Sequence, residues 1–188
     1  KHIKGLDAVL DTITHTHQVL QEPAYSVLGW LTGAAAAEHR ALTAESIAAL
    51  AGRGMLDASL LADELTYLLR GGWVKPIRAA SCLQDAASIS PLAGWRIVQV
   101  LENMLAAVSD INRGGSFVQL LVQLAGEYGV SIKIPEALQP KMKGSTVLAK
   151  SLRALEKLQP HPTELAEQAR NQAREIVTKN GAGHAEKL

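Results

Sequence analysis

The sequence predicts an all-α protein, and three observations support that class. Apolar residues recur at the i, i+3, i+4 and i+7 steps of a helix. Leu, Ala, Ile and Val supply most of the 47% hydrophobic content, and Leu and Ala are strong helix formers. Glycines and prolines interrupt the chain at intervals of helix length. About nine helices joined by short connections are therefore expected.

The first four predicted helices occupy the N-terminal part of the chain. The first follows the apolar spacing of residues 6–20, and Pro23 suits the first turn of the second. Thr43 is the expected N-cap of the third, because its hydroxyl can accept a hydrogen bond from a free N–H group. Asp57 is the expected N-cap of the fourth helix, which ends at Gly71.

The fifth and sixth helices have the clearest start signals. Pro76 begins the fifth, and Ser90 followed by Pro91 forms a cap and first-turn pair for the sixth. The sixth helix carries a stripe of large apolar residues, namely Trp95, Val98, Leu101 and Leu105. Its flanks are apolar as well, which predicts a central position in the fold.

The C-terminal third predicts three further helices and one extended connection. The seventh helix spans residues 116–129, and the alternation of residues 130–135 indicates an extended link. The eighth and ninth helices are expected at residues 144–158 and 162–177. Residues 1–178 are interpreted as one domain, and residues 179–188 as a flexible tail.

Two helical architectures fit this series, a closed bundle and an α-solenoid of stacked helix pairs. Pairs of predicted helices recur at roughly 35–45 residues, the spacing of HEAT-like units. The sequence contains no clean residue repeat, so both architectures stay open, and the spacing favours the solenoid.

The stretch KMKGST at residues 141–146 resembles a phosphate-binding loop in composition only. In a P-loop the lysine follows the second glycine, whereas Lys143 precedes Gly144. Leu138 stands where the first glycine would be required. The stretch is better interpreted as a helix start, with Gly144 turning the chain and Ser145 or Thr146 as the cap.

Positive charge is concentrated near the C-terminus. Residues 131–188 contain 10 Lys and Arg against 6 Asp and Glu, although the whole chain is close to neutral at +1. Five of these cations form a candidate binding stripe, namely Lys141, Lys143, Lys150, Arg153 and Lys157. The stripe predicts an acidic protein partner, and nucleic acid is the alternative ligand. An interpretation without any ligand is that these cations form a solvated face of the protein.

Other candidate chemistry is weak. His15 and His17 diverge on a helix, so they cannot share a metal ion. Cys82 is the only cysteine and is expected to be a buried thiol, which excludes an internal disulfide and indicates a cytoplasmic setting. Trp73, after a double glycine, is a candidate surface anchor. No catalytic residue, cofactor, metal site or membrane span is predicted.

Residues 54–95 resemble a pattern in the C-terminal region of large uncharacterised bacterial HEAT-like helical-repeat proteins. The segments GMLD, GWVKPIR and SPLAGW carry the likeness, and GSTVLAKSLRAL resembles that family's closing helix. Met55 and Ser90 depart from the pattern, where the family has Arg and Gly. The resemblance implies that the chain is the C-terminal part of a longer protein. It also implies a scaffold whose partners are AAA ATPases or von Willebrand factor A-domain proteins.

These observations predict a non-catalytic protein-interaction scaffold. Stacked amphipathic helices bury one another's apolar stripes and leave a ridged surface for recognition. The alternative is a nucleic-acid or polyanion-binding module that uses the same C-terminal basic stripe. Both interpretations rest on sequence patterns, and a site formed by residues distant in sequence leaves no such pattern.

Overall fold

The structure of the protein is a computed structural model, and it describes parts of the chain between residues 62 and 185. Described are residues 62, 65–66, 69–70, 75–108, 111 and 114–185, apart from the side chains of residues 78, 82 and 179–185. The first three predicted helices lie outside these residues, as do His15, His17, Trp73 and the thiol of Cys82. The five described positions between residues 62 and 70 are helical, in agreement with the fourth predicted helix.

The described residues form helices and connections, and none of them belongs to a β-strand. The α-helices are α1 (Pro76–Ala87), α2 (Pro91–Leu105), α3 (Gly115–Glu127), α4 (Val147–Glu156) and α5 (Glu164–Ala185). A 3-10 helix, Glu136–Met142, precedes α4. These elements correspond to the fifth to ninth predicted helices, and the all-α class is confirmed for the described part of the chain.

Local sequence explains where the helices begin. Pro76 and Pro91 occupy the first turns of α1 and α2, where a missing N–H group costs nothing. The hydroxyl of Ser90 accepts a hydrogen bond from the Ala93 N–H group at 3.1 Å. Thr146 and Thr163 cap α4 and α5 in the same way. The sequence left open whether Ser145 or Thr146 caps α4, and in the structure the cap is Thr146.

Helix α2 has a central position in the described fold, as its apolar circumference predicted, and α3 shares it. It packs against α1, α3 and α5, while α3 also contacts α1 and α4. The most completely buried large side chains include Leu83, Ile97, Met104 and Phe117, which come from α1, α2 and α3. Burial of such side chains contributes about 1.5–3 kcal/mol each.

The link between α3 and the 3-10 helix is extended, and it alternates as predicted. Ile132 and Ile134 are buried in the core, whereas Ser131 and Lys133 are exposed. Leu138 of the 3-10 helix is also fully buried. The link thus closes one side of the core without contributing a strand.

Helix α5 returns to α2 across a long stretch of sequence. Ala166 and Ala169 are buried in the common core. The side-chain oxygen of Gln172 accepts a hydrogen bond from the Leu92 N–H group at 3.0 Å. This bond satisfies one of the free N–H groups in the first turn of α2 and holds α5 in register.

The choice between a solenoid and a closed bundle for the whole chain stays a prediction. The described residues contain five α-helices and one 3-10 helix. The predicted nine-helix solenoid includes elements outside the described residues. Helix α5 continues beyond residue 178 to Ala185, so the boundary between domain and tail also stays a prediction.

Candidate functional site

An open groove of about 900 Å³ lies where several helix starts meet. We call it the lysine groove. Its lining residues are Lys75, Pro76, Ile77, Val108, Ile111, Gly114, Gly115, Ser116, Gln119, Pro140, Lys141, Lys143, Thr146, Val147 and Leu148. The first turns of α1, α3 and α4 thus share one groove with the end of the 3-10 helix. A cleft of this volume is at the upper end of the usual ligand-site range of about 300–1,000 Å³.

Close packing of two helix starts builds one wall of the groove. A Cβ atom on Gly115 would lie 2.9 Å from the Leu148 nitrogen and 3.1 Å from the Val147 Cγ1 atom. Only a residue without a side chain allows this approach of α3 to α4. Gly114 is similarly close to Val108, with the Cγ1 atom 3.0 Å from such a Cβ atom.

The described lining residues give the groove a positive charge. Lys75, Lys141 and Lys143 line it and are exposed, and none of its described lining residues is acidic. The first turns of α1, α3 and α4 also contain no acidic residue. Each helix N-terminus carries a partial positive charge of about half an elementary charge, so the dipoles add to the lysines.

Large apolar side chains border the same groove. Ile77 is 73% exposed and Val147 is 57% exposed. Below them, Val108 and Ile111 are buried and Leu148 is half-buried. The groove therefore combines an apolar wall and floor with a cationic rim.

The KMKGST stretch forms the rim beside α4, and its backbone follows the sequence prediction. Gly144 has a φ of +115°, a conformation that residues with a side chain rarely adopt. The Arg153 guanidinium donates hydrogen bonds to the carbonyl oxygens of Met142 and Gly144, the latter at 3.0 Å. These bonds shape the loop that carries Lys143 over the groove.

The structure separates the five cations of the predicted stripe. Lys141 and Lys143 line the groove, whereas Lys150 of α4 and Lys157, directly after α4, are exposed and do not line it. Arg153 is half-buried and holds the loop. Their role in binding stays a prediction, and Trp73 lies outside the described residues.

A second, smaller cavity of about 270 Å³ lies between α2 and α5. Trp95 and Tyr128 line it, with ring centroids 5.9 Å apart and planes tilted by 52°. The Tyr128 hydroxyl donates a hydrogen bond to the Pro91 carbonyl oxygen at 2.6 Å. Burial, followed by the nearby Glu127 carboxylate, raises the pKa of the Tyr128 phenol above 10.0.

Residues of the groove that the sequence analysis missed are Lys75, Ile77 and Val147. Lys75 and Ile77 entered the sequence analysis only as part of the segment GWVKPIR, which carries the family resemblance. Each stands at a helix start that the sequence did locate. The missing information was which helix starts lie together in space.

The described residues contain no group of three or more His, Cys, Asp and Glu side chains that could hold a metal ion. His161 is exposed, and its Nδ1 atom lies 3.2 Å from the Gln159 carbonyl oxygen. In the part of the chain that the structure describes, no helix combines the length and apolar character needed to span a bilayer.

Comparisons with known proteins give no family to which the chain can be assigned. No protein-family model matches the chain, and neither a curated protein nor a solved structure does. The function is therefore argued from the groove itself.

Proposed function

We propose that this helical array is a non-catalytic protein-interaction module and that the lysine groove is its contact surface. The observation that carries this proposal is the exposure of Ile77 and Val147 at the edge of the groove. Exposed apolar surface rimmed by polar residues is typical of sites where proteins associate. Burial of these side chains by a partner would contribute binding free energy at about 25 cal/mol per Å².

The packing of the walls supports a preformed surface. Gly115 allows α3 and α4 to meet closely, and Arg153 holds the loop of the rim. A groove whose backbone is already ordered loses less conformational entropy when a partner binds. The floor residues Val108 and Ile111 belong to the same core as α2 and α3.

The HEAT-like arrangement of the helices is part of this proposal. Helix α1 contacts α2, α3 contacts α4, and α1 also contacts α3, which is compatible with stacked helix pairs. The contact of α5 with α2 is instead a return contact of the kind found in closed bundles. The two partner classes implied by the family resemblance remain predictions, and the interaction role does not depend on them.

Affinity capture with quantitative mass spectrometry tests the interaction role. The full 188-residue chain serves as bait in a lysate of its source cell, next to the variant Ile77→Glu/Val147→Asp. Ile89→Glu is the matched control, because Ile89 is 56% exposed yet does not line the groove.

A partner should be captured by the wild type and by Ile89→Glu, and lost with Ile77→Glu/Val147→Asp. That partner, once purified, should bind the wild type in a saturable titration. Equal capture by all three baits, or the absence of any saturable partner, would contradict the proposed role.

A polyanion such as single-stranded nucleic acid is the second candidate. The three lysines and three helix starts of the groove favour it, because both attract phosphates. Its binding should fall steeply between about 50 and 200 mM salt. Gel shifts with single-stranded DNA and RNA at the lower salt concentration check it, and no shift there excludes it.

A further inference from the structure

We propose that the lysine groove binds an acidic amphipathic segment of a partner protein. Apolar side chains of the segment would lie between Ile77 and Val147, and its carboxylates would face Lys75, Lys141 and Lys143. This inference rests on the proposed interaction role and specifies the chemistry of the partner.

Charge complementarity predicts that the bound segment is negatively charged. The three lysines are exposed, they come from two separate regions of the chain, and no ion pair between described residues involves them. The first turns of α1, α3 and α4 add positive potential without an acidic residue to offset it. A basic or neutral segment would leave this potential uncompensated, whereas Asp and Glu side chains would neutralise it.

The apolar surface selects a peptide over a nucleic acid. Ile77 and Val147 offer aliphatic contact area, while none of the described lining residues is aromatic. Single-stranded nucleic acids gain much of their affinity from bases stacked on aromatic rings. Aliphatic walls instead suit Leu, Ile or Val side chains at one face of an amphipathic helix.

Selection from a random peptide library tests this chemistry directly. Displayed peptides of about 16 residues, long enough for roughly four helical turns, are selected on the full 188-residue chain. Enriched peptides should contain more Asp and Glu than the unselected library, together with aliphatic residues at helical spacing. Their affinities are then measured by fluorescence anisotropy.

Two double charge reversals locate the binding surface. Lys141→Glu/Lys143→Glu reverses the rim and should weaken the selected peptides by at least about tenfold, because like charges would face each other. Lys150→Glu/Lys157→Glu makes the same charge change at exposed positions outside the groove, one in α4 and one directly after it. This control should weaken binding by less than about threefold, through long-range electrostatics alone.

Val147→Asp tests the apolar wall, and it should abolish measurable binding of the selected peptides. All substituted positions are exposed, so circular dichroism spectra and melting temperatures should match the wild type.

Three results would overturn the inference: no peptide that binds the wild type, enriched peptides without acidic excess, or equal weakening by the two charge reversals. The lysate capture described above can still succeed in each case, with a partner of other chemistry. Failure of the inference is therefore distinguishable from failure of the interaction role.

Discussion

The smaller cavity between α2 and α5 and the lysine groove differ in how their lining groups are satisfied. Between α2 and α5, polar atoms have partners within the chain: the Tyr128 hydroxyl bonds to Pro91, and Gln172 bonds to Leu92. In the lysine groove, large apolar side chains are exposed and the lysines have no carboxylate partner among the described residues. We call the first region the α2–α5 seam.

The difference indicates which region stabilises the fold and which is available for recognition. Buried polar groups with good hydrogen bonds hold elements in register, and their loss leaves an unsatisfied group. Exposed cations and aliphatic side chains contribute little to stability while the protein is alone. Substitutions in the seam should therefore change stability, and substitutions in the groove should change binding.

The largest effect is expected at Gly129, next to the seam. Its φ is +64°, and a Cβ atom there would overlap the His161 carbonyl oxygen and lie 2.8 Å from the Thr163 Cγ2 atom. Gly129→Ala should lower the free energy of unfolding by about 3 kcal/mol, since strain and overlap add. Urea denaturation measures it.

Gly126→Ala is the control for that substitution. Gly126 lies in α3, where a new Cβ atom would meet only Leu158 at 3.9 Å. The change should be neutral or stabilise the protein by up to about 1 kcal/mol, because alanine favours a helix. Equal destabilisation by both substitutions would contradict the close approach of Gly129 to His161.

A double-mutant cycle should detect the contact between α2 and Tyr128. A Cβ atom on Gly94 would overlap the Tyr128 hydroxyl and lie 3.0 Å from the Ala87 carbonyl oxygen. Gly94→Ala should cost about 2 kcal/mol in the wild type. In a Tyr128→Phe background it should cost about 1 kcal/mol less, because the overlapping hydroxyl is gone. Identical costs in both backgrounds would mean that the two residues do not touch.

A smaller effect is expected for the bond that holds α5 to α2. Gln172→Leu removes the acceptor and should cost about 1 kcal/mol by leaving the Leu92 N–H group without its partner. Gln172→Glu keeps an oxygen at that position and should restore most of the loss. If thermal melts show that both variants lose the same stability, the hydrogen bond does not hold the seam.

Alkaline pH should weaken the seam through Tyr128. Its folded pKa is raised above the unfolded value near 10.0, so its contribution is complete below pH 10. That contribution is lost as the pH rises through the higher folded pKa. Unfolding free energies at pH 9 and pH 11 should differ less for Tyr128→Phe than for the wild type, because phenylalanine does not titrate. Equal differences would assign the alkaline sensitivity to other groups.

The smallest effect on stability is expected in the groove. Lys141→Glu/Lys143→Glu should change the free energy of unfolding by less than about 0.5 kcal/mol, as exposed substitutions usually do. Chemical denaturation of this variant, of Gly129→Ala and of the wild type under the same conditions provides the comparison. A loss above about 2 kcal/mol would show that the rim lysines support the fold.

Much of the described fold follows from local sequence. Proline positions and the hydroxyls of Ser90 and Thr146 predicted helix starts, because their effect operates within one turn of the chain. The central place of α2 also followed from its apolar circumference. The return of α5 to α2 was not predictable in this way, since the Gln172 bond joins residues 80 positions apart.

The candidate site was predicted less well than the fold. Lys141 and Lys143 were identified from charge, but the C-terminal concentration of positive charge also grouped them with Lys150 and Lys157, which do not line the groove. Arg153 was counted as a cation for a partner, yet its guanidinium bonds to the Met142 and Gly144 carbonyl groups. Periodicity reports which residues share a helix face and contains no information on neighbouring helices.

The sequence by itself determined the all-α class of the described region, the starts of its helices and the cluster of positive charge near the C-terminus. These properties depend on backbone preferences and side-chain hydrogen bonds within a few residues. Only the tertiary structure decided that Lys75 and Ile77 lie beside Lys141 and Val147. That convergence depends on close packing between distant helices, such as the approach that Gly115 allows, and no local pattern encodes it.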